Sequence, residues 1–162
     1  MLLPKRRTYA APSPTLYPAL CDLPYPLQPD HPPPCSDVHL VHTPGSTDRL
    51  PSPLPVTVIS AAAADLRYGS KPPAYTEEMT ARVAALLWTA HRHGCSDLIL
   101  GAWGCGVFKN SPPAIASFFA HALYKQGWAQ HFRRIIFAIP GSGRRGYTFE
   151  CFQQTLLTSP PP

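Results

Sequence analysis

Acidic residues are scarce in this chain. Of its 162 residues nine are Asp or Glu, against fourteen Lys or Arg, giving a formal net charge of +5 and a pI of about 9.1. None of the nine falls between Leu98 and Phe149, which disfavours a carboxylate metal site on the glycine-rich turn in that stretch or on the helix after it. The charge balance favours a partner with negative charge, such as a phosphate ester. Long apolar runs are also missing: nothing approaches the ~20 residues of a membrane span. The chain begins Met1-Leu2-Leu3 and passes directly to Pro4-Lys5-Arg6-Arg7, without the apolar stretch of a secretion signal. The five cysteines, Cys21, Cys35, Cys95, Cys105 and Cys151, form no C-x-x-C pair and have no histidines at zinc-finger spacing. A disulfide scaffold and a structural zinc are therefore disfavoured, and an intracellular protein with reduced thiols is expected. Basic residues cluster only at Lys5-Arg6-Arg7 and Arg144-Arg145, and no alternation of basic and aromatic residues runs along the chain, which disfavours nucleic acid as a partner.

A hydrophobic content of 44% is enough to build one core in a chain of this length. Proline is unevenly spread. Fourteen of the 22 prolines lie in the first 55 residues, where Pro12-Ser13-Pro14, Pro24-Tyr25-Pro26 and Pro32-Pro33-Pro34 forbid a long helix or a central strand. Residues 1–54 thus read as an extended or irregular arm. Its Leu16, Tyr17, Leu20, Leu23, Tyr25 and Leu27 supply apolar surface with which to pack on a folded body, and Val38-His39-Leu40-Val41 is a short strand.

Residues 55–158 read as an α/β core. Val56-Thr57-Val58-Ile59-Ser60 is a buried strand ending in Ala61-Ala62-Ala63-Ala64-Asp65. A helix opens at Thr76-Glu77-Glu78, buries Met79, Val83, Leu86, Leu87 and Ala90, and closes at Gly94. Strand Asp97–Leu100 leads into the glycine-rich turn from Gly101 to Phe108. Ser111 is placed to cap the next helix, with Pro112 at its first position and Ile115, Phe118, Phe119, Ala122 and Leu123 on its buried face. Arg134–Ile139 is a further strand, and Gly141-Ser142-Gly143 leads to a last helix with Phe149, Phe152 and Leu156 on one side. This alternation predicts a mainly parallel sheet with helices on both faces. Ligands bind such sheets beyond the carboxyl ends of the strands, where both glycine loops lie.

Gly104 and Gly106 let a backbone approach a ligand closely, and the turn precedes a helix N-terminus whose free N–H groups favour a diphosphate. A tight turn without a ligand fits the glycines alone equally well. A nicotinamide-type dinucleotide site requires an acid roughly 20 residues further on, and there is none. Lys109 and Ser111 do not fall in a nucleoside-triphosphate loop frame. Cys105, between glycines ahead of a helix, has the position of a nucleophilic thiolate, but a small residue chosen for space is the favoured reading. His91 and His93, two apart on a helix, cannot face one metal and read as solvated residues at its C-terminal end.

The stretch Leu98-Ile99-Leu100-Gly101-Ala102-Trp103-Gly104-Cys105-Gly106-Val107-Phe108-Lys109-Asn110 closely resembles the G-A-W/F-G-C-G-x-F-x-N signature of microbial-type poly(ADP-ribose) glycohydrolases. Ser13–Leu20 resembles the family's S-x-L-Y-P-x-L segment, Val58–Asp65 its strand ending in small residues and Asn, and Phe137-Ala138-Ile139 its F-A-I/V strand. The resemblance runs over nearly the whole chain from Ser13. It implies a three-layer αβα, macrodomain-like fold that binds ADP-ribose, its polymer or ADP-ribosylated proteins, as a monomer and without cofactor or metal. By the motif, Gly104, Cys105, Gly106 and Val107 form the diphosphate loop and Phe108 lies against the distal ribose; by the same analogy Tyr147 lies towards the adenosine. The family also has a Gly-Gly-Gly loop followed by Gln-Glu-Glu, whose second glutamate is the general acid that protonates the leaving ribose oxygen. Here the corresponding stretch is Met1–Arg7 and the first glutamate is Glu77, so no catalytic residue is assigned and binding without hydrolysis is expected. Two alternatives stand beside it. One is an active glycohydrolase whose catalytic loop is supplied elsewhere, and the other is a non-binding remnant of a truncated gene.

Overall fold

The computed structural model describes residues 35–42, 48–69, 71–141 and 146–158; most of the expected arm, including Ser13–Leu20, lies outside them, as does the Ser142–Arg145 part of the second glycine loop. The chain divides into two compact units, with the break between Ser60 and Ala61.

The first unit contains a hairpin-like antiparallel pair, β1 (Cys35–His42) and β2 (Arg49–Ile59). Val38–Val41 lies in β1, as expected, but β2 begins well before Val56. The reason is local: Pro51, Pro53 and Pro55 alternate, so every missing N–H falls on one edge of the strand and the residues between them keep theirs. Asp37 and Thr57 are directly opposite, and the Thr57 hydroxyl donates to the Asp37 carboxylate at 2.8 Å. Val56–Ile59 pairs with β1 in antiparallel register, where the sequence pattern placed it in a parallel sheet.

The second unit carries α1 (Tyr75–Arg92), β3 (Asp97–Leu100), α2 (Pro112–Ala120), a π-helical turn over His121–Lys125, a 3₁₀ turn over Trp128–His131, β4 (Arg134–Phe137) and α3 (Gly146–Thr158). It is mixed α/β. β3 and β4 are parallel and in register from Asp97↔Arg134 to Leu100↔Phe137. The five residues predicted to face the core from α1 are all buried, with Met79, Val83 and Leu87 wholly so. Gly94 ends that helix region at φ +69°, a left-handed conformation that glycine adopts without penalty.

The nine residues of α2 are too few for a helix stable alone, since isolated helices under about 12–15 residues are marginal in water. Packing holds it instead. Ile115 and Phe119 are fully buried, and burial of such a side chain contributes roughly 1.5–3 kcal/mol. Phe119, Phe137 and Phe152 form a column joining α2, β4 and α3, with ring centroids 5.2 and 5.5 Å apart. Ser111 occupies the cap position of α2 as predicted, yet its side chain makes no capping bond; with prolines at 112 and 113, two of the first turn's N–H groups are absent from the start. On the other face of the parallel pair, Ile99 is 77% exposed and Ile136 is exposed too.

Candidate functional site at the carboxyl ends of the parallel strands

The turn between β3 and α2 is shaped by its own backbone. Trp103 N–H donates to Gly101 C=O (2.9 Å), Cys105 N–H to Ala102 C=O (3.1 Å) and Asn110 N–H to Gly104 C=O (3.1 Å). Gly104 has φ +74°, and a Cβ there would lie 2.5 Å from the Ala63 Cβ and 2.7 Å from the Asn110 side-chain nitrogen. Glycine is required at this position on two counts, backbone conformation and space. Gly106 differs: its φ is ordinary and nothing lies within 4 Å of a Cβ built on it.

Residues 61–66 brace the turn from behind. Asn110 is 2% exposed and is the hub, its amide nitrogen donating to Ala64 C=O (2.7 Å) and Gly104 C=O (3.2 Å) and its oxygen accepting from the Tyr75 hydroxyl (2.7 Å). Trp103 Nε1–H donates to Ala61 C=O (3.1 Å) and Leu66 N–H to Phe108 C=O (3.0 Å). Arg82, reaching from α1, donates to Ala62 C=O at 2.8 Å. The small residue at 63 thus has a physical reason: Ala63 is buried against Gly104, where a larger side chain would crowd the turn. Burial pushes the Tyr75 phenol up, so it stays protonated and keeps donating to Asn110.

Beyond the carboxyl ends of β3 and β4 lies a cavity of about 250 Å³, lined by Ala102, Cys105 and Gly106 from the first turn, Ala138, Ile139 and Pro140 after β4, and Thr148 on α3. It is below the roughly 300–1,000 Å³ usual for a small-molecule site, so it is too small to enclose a whole dinucleotide-sized ligand. Of the residues singled out in the sequence, Cys105 and Gly106 line this cavity. Gly104, Val107, Phe108 and Tyr147 do not. Gly104 is turned to the supporting side, and Val107 is 67% exposed. The Phe108 ring lies under the Arg67 guanidinium, 5.5 Å from it, and Arg67 is clamped by Asp65 at 2.6 Å. Tyr147 is 62% exposed, and Cys151 one turn along α3 pushes its phenol up. Asn110, Ala138, Pro140 and Thr148 were given no role from the sequence; a polar residue closing a glycine-rich motif was the signal for Asn110, the F-A-I/V strand was the signal for Ala138, and nothing local marks Pro140 or Thr148.

The thiol of Cys105 is pushed up to about 11, first by burial and then by the nearby Cys151. The site therefore opposes a thiolate, and the small-residue reading of Cys105 agrees with its environment. Among the described residues, no carboxylate lines the cavity. Asp97 lies at the opposite end of β3, bonded to Arg133 and Arg134. Glu77 and Glu78 occupy the first turn of α1. Among the described residues, no helix is long and apolar enough to cross a membrane, and no three His, Cys, Asp or Glu gather as a metal ion would need.

No protein-family model and no curated protein matches the sequence. Solved structures do. The poly(ADP-ribose) glycohydrolase from Deinococcus radiodurans in complex with ADP-ribose superposes with a TM-score of 0.67 at 29% identity, over 76% of this chain and 52% of that one. The apo form of the same enzyme matches at TM-score 0.67 and 29% identity, over 79% and 54%. The Thermomonospora curvata poly(ADP-ribose) glycohydrolase matches at TM-score 0.67 and 28% identity, over 75% and 46%. The second unit, with its parallel pair, its helices and the cavity at the strand ends, thus defines a macrodomain-like α/β protein. More particularly, the chain has the fold of the microbial poly(ADP-ribose) glycohydrolases, and it spans about half the length of the structures it matches.

Proposed function

We propose that this chain binds ADP-ribose at the carboxyl ends of β3 and β4 and does not itself hydrolyse the polymer. The observation that carries the reading is the turn over residues 101–110, which combines the glycohydrolase-like motif with a braced backbone and an open approach at Gly106. In this reading Gly104, Cys105, Gly106 and Val107 shape the diphosphate loop, Gly104 from the supporting side. Phe108 faces the distal ribose and Tyr147 the adenosine side. The division into an arm over 1–54 and a core over 55–158, the monomeric state, ADP-ribosylated proteins as partners and an intracellular location belong to the same proposal.

Loss of hydrolysis is argued from chemistry. Cleavage of a ribose–ribose bond requires a carboxyl group held against the leaving oxygen. No Gln-Glu-Glu follows a Gly-Gly-Gly anywhere in the 162 residues, and the described cavity has no acid in its wall. The rival reading, an active glycohydrolase, is favoured by the 28–29% identity to enzymes of that activity, and requires the carboxyl to come from a longer form of the protein, a partner chain or another acid of this chain.

Calorimetric titration with ADP-ribose, with ADP and NAD as controls, followed by a polymer-hydrolysis assay on the same sample, decides between them. Saturable ADP-ribose binding without turnover is the expected result. Turnover would establish the glycohydrolase, and a folded protein that binds nothing would overturn both.

A further inference from the structure

We propose that the opposite end of the second unit carries a second binding surface, which holds internal units of a poly(ADP-ribose) chain. The identity of the occupant rests on the reading of the cavity above. The surface itself stands on separate residues.

Trp88, His91 and Arg92 occupy positions i, i+3 and i+4 of α1 and so share one face of its last turns. Trp88 is 45% exposed, and the Arg92 guanidinium lies 5.9 Å from the centre of its ring. The His91 ring meets two residues of the 3₁₀ turn, His131 at 4.6 Å and Trp128 at 6.3 Å between centroids, and Trp128 and His131 are 5.4 Å apart. Two tryptophans, an arginine and two imidazoles therefore gather around the last turns of α1. His91, Arg92 and His131 are exposed and Trp128 is half-buried. Just beyond His131, Arg133 and Arg134 both bond to Asp97, so these three groups sum to one positive charge. No alternation of this kind exists along the sequence; α1, the 3₁₀ turn and the start of β4 assemble it.

Aromatic faces beside cations are what a single-stranded polymer of bases and phosphates requires, because every base has a face to stack and every phosphate a charge to pair. The surface lies at the amino ends of β3 and β4, while the cavity lies at their carboxyl ends. A single ADP-ribose has one base and one diphosphate, and in the proposed reading its diphosphate is held at the carboxyl ends, by the cavity. A polymer carries further adenines and diphosphates, and these match the tryptophans and arginines in kind and in charge.

The test uses the full chain, ADP-ribose monomer, poly(ADP-ribose) of defined length and oligoadenylate RNA of comparable length. The double variant Trp88→Ala/Arg92→Ala alters exposed side chains only. It is expected to weaken polymer binding about ten-fold, within the range of one lost base stack, and to reduce the dependence of log affinity on log salt by about 0.7 for the removed cation, while monomer affinity stays the same. Gly106→Trp is expected to abolish monomer binding and leave weaker, salt-sensitive polymer binding. Unchanged polymer affinity in the double variant would overturn the surface. Oligoadenylate binding as tight as polymer and equally reduced would overturn the assigned occupant. If the wild-type chain binds no monomer yet loses polymer binding in the double variant, the cavity reading fails and the surface stands.

Discussion

The two ends of the β3–β4 pair are built by opposite means. At the carboxyl end the candidate site is shaped by backbone: a turn with a left-handed glycine, a buried asparagine and a wall of small residues, and among the described residues no charged side chain lines the cavity. At the amino end the backbone is unremarkable and the side chains dominate, with Asp97 shared by two arginines and rings of Trp and His in contact at the surface. The lesson is that tolerance to mutation differs between them. A backbone-defined site fails when a single Cβ is added in the wrong place, whereas an exposed charged surface loses its contributions one at a time.

The largest effect that would sharpen this contrast lies within one loop. Gly104→Ala is expected to lower stability by about 3 kcal/mol, from left-handed strain together with overpacking against Ala63 and Asn110. Gly106→Ala, facing open space, should be close to neutral in urea unfolding while weakening ADP-ribose binding. Equal stability losses at the two glycines would break the distinction between supporting side and ligand side.

Next in size is the reactivity of Cys105. With its thiol pushed from 9.0 to about 11, it has about 100-fold less thiolate near pH 8 than an unshifted thiol. Alkylation by iodoacetamide, followed residue by residue with mass spectrometry, should accordingly be slow at Cys105 until the pH passes 10. Rapid modification at pH 8 would restore the nucleophile that the structure argues against.

The smallest expected effect is at the amino end. Bonding to Arg133 holds the Asp97 carboxyl below its usual 3.8, so its contribution to stability is present above that value and is lost as the pH falls through the lowered one. Asp97→Asn should flatten this acid limb slightly, with little change at pH 7, because the pair is exposed. A marked loss of stability at pH 7 would show that this end is also structurally demanding.

The sequence by itself determined the elements whose logic is local. The 3.6-residue spacing of Met79, Val83, Leu87 and Ala90 fixed the core face of α1, β-branched and apolar content marked β3 and β4, and the thirteen-residue motif marked the turn and its resemblance. Proline spacing was legible only in part: alternation at 51, 53 and 55 permits a strand with one blunted edge, where proline density alone suggested irregularity. Tertiary structure alone decided what depends on residues far apart in the chain. That Asn110 braces Tyr75 and Ala64, that Thr148 and Pro140 share a wall with Gly106, and that Trp128 meets His91 are consequences of packing between elements separated by dozens of residues. Periodicity records which side of an element is buried. It holds no information about which neighbour that side will find, because that choice is made by shape and hydrogen-bond satisfaction once the elements meet.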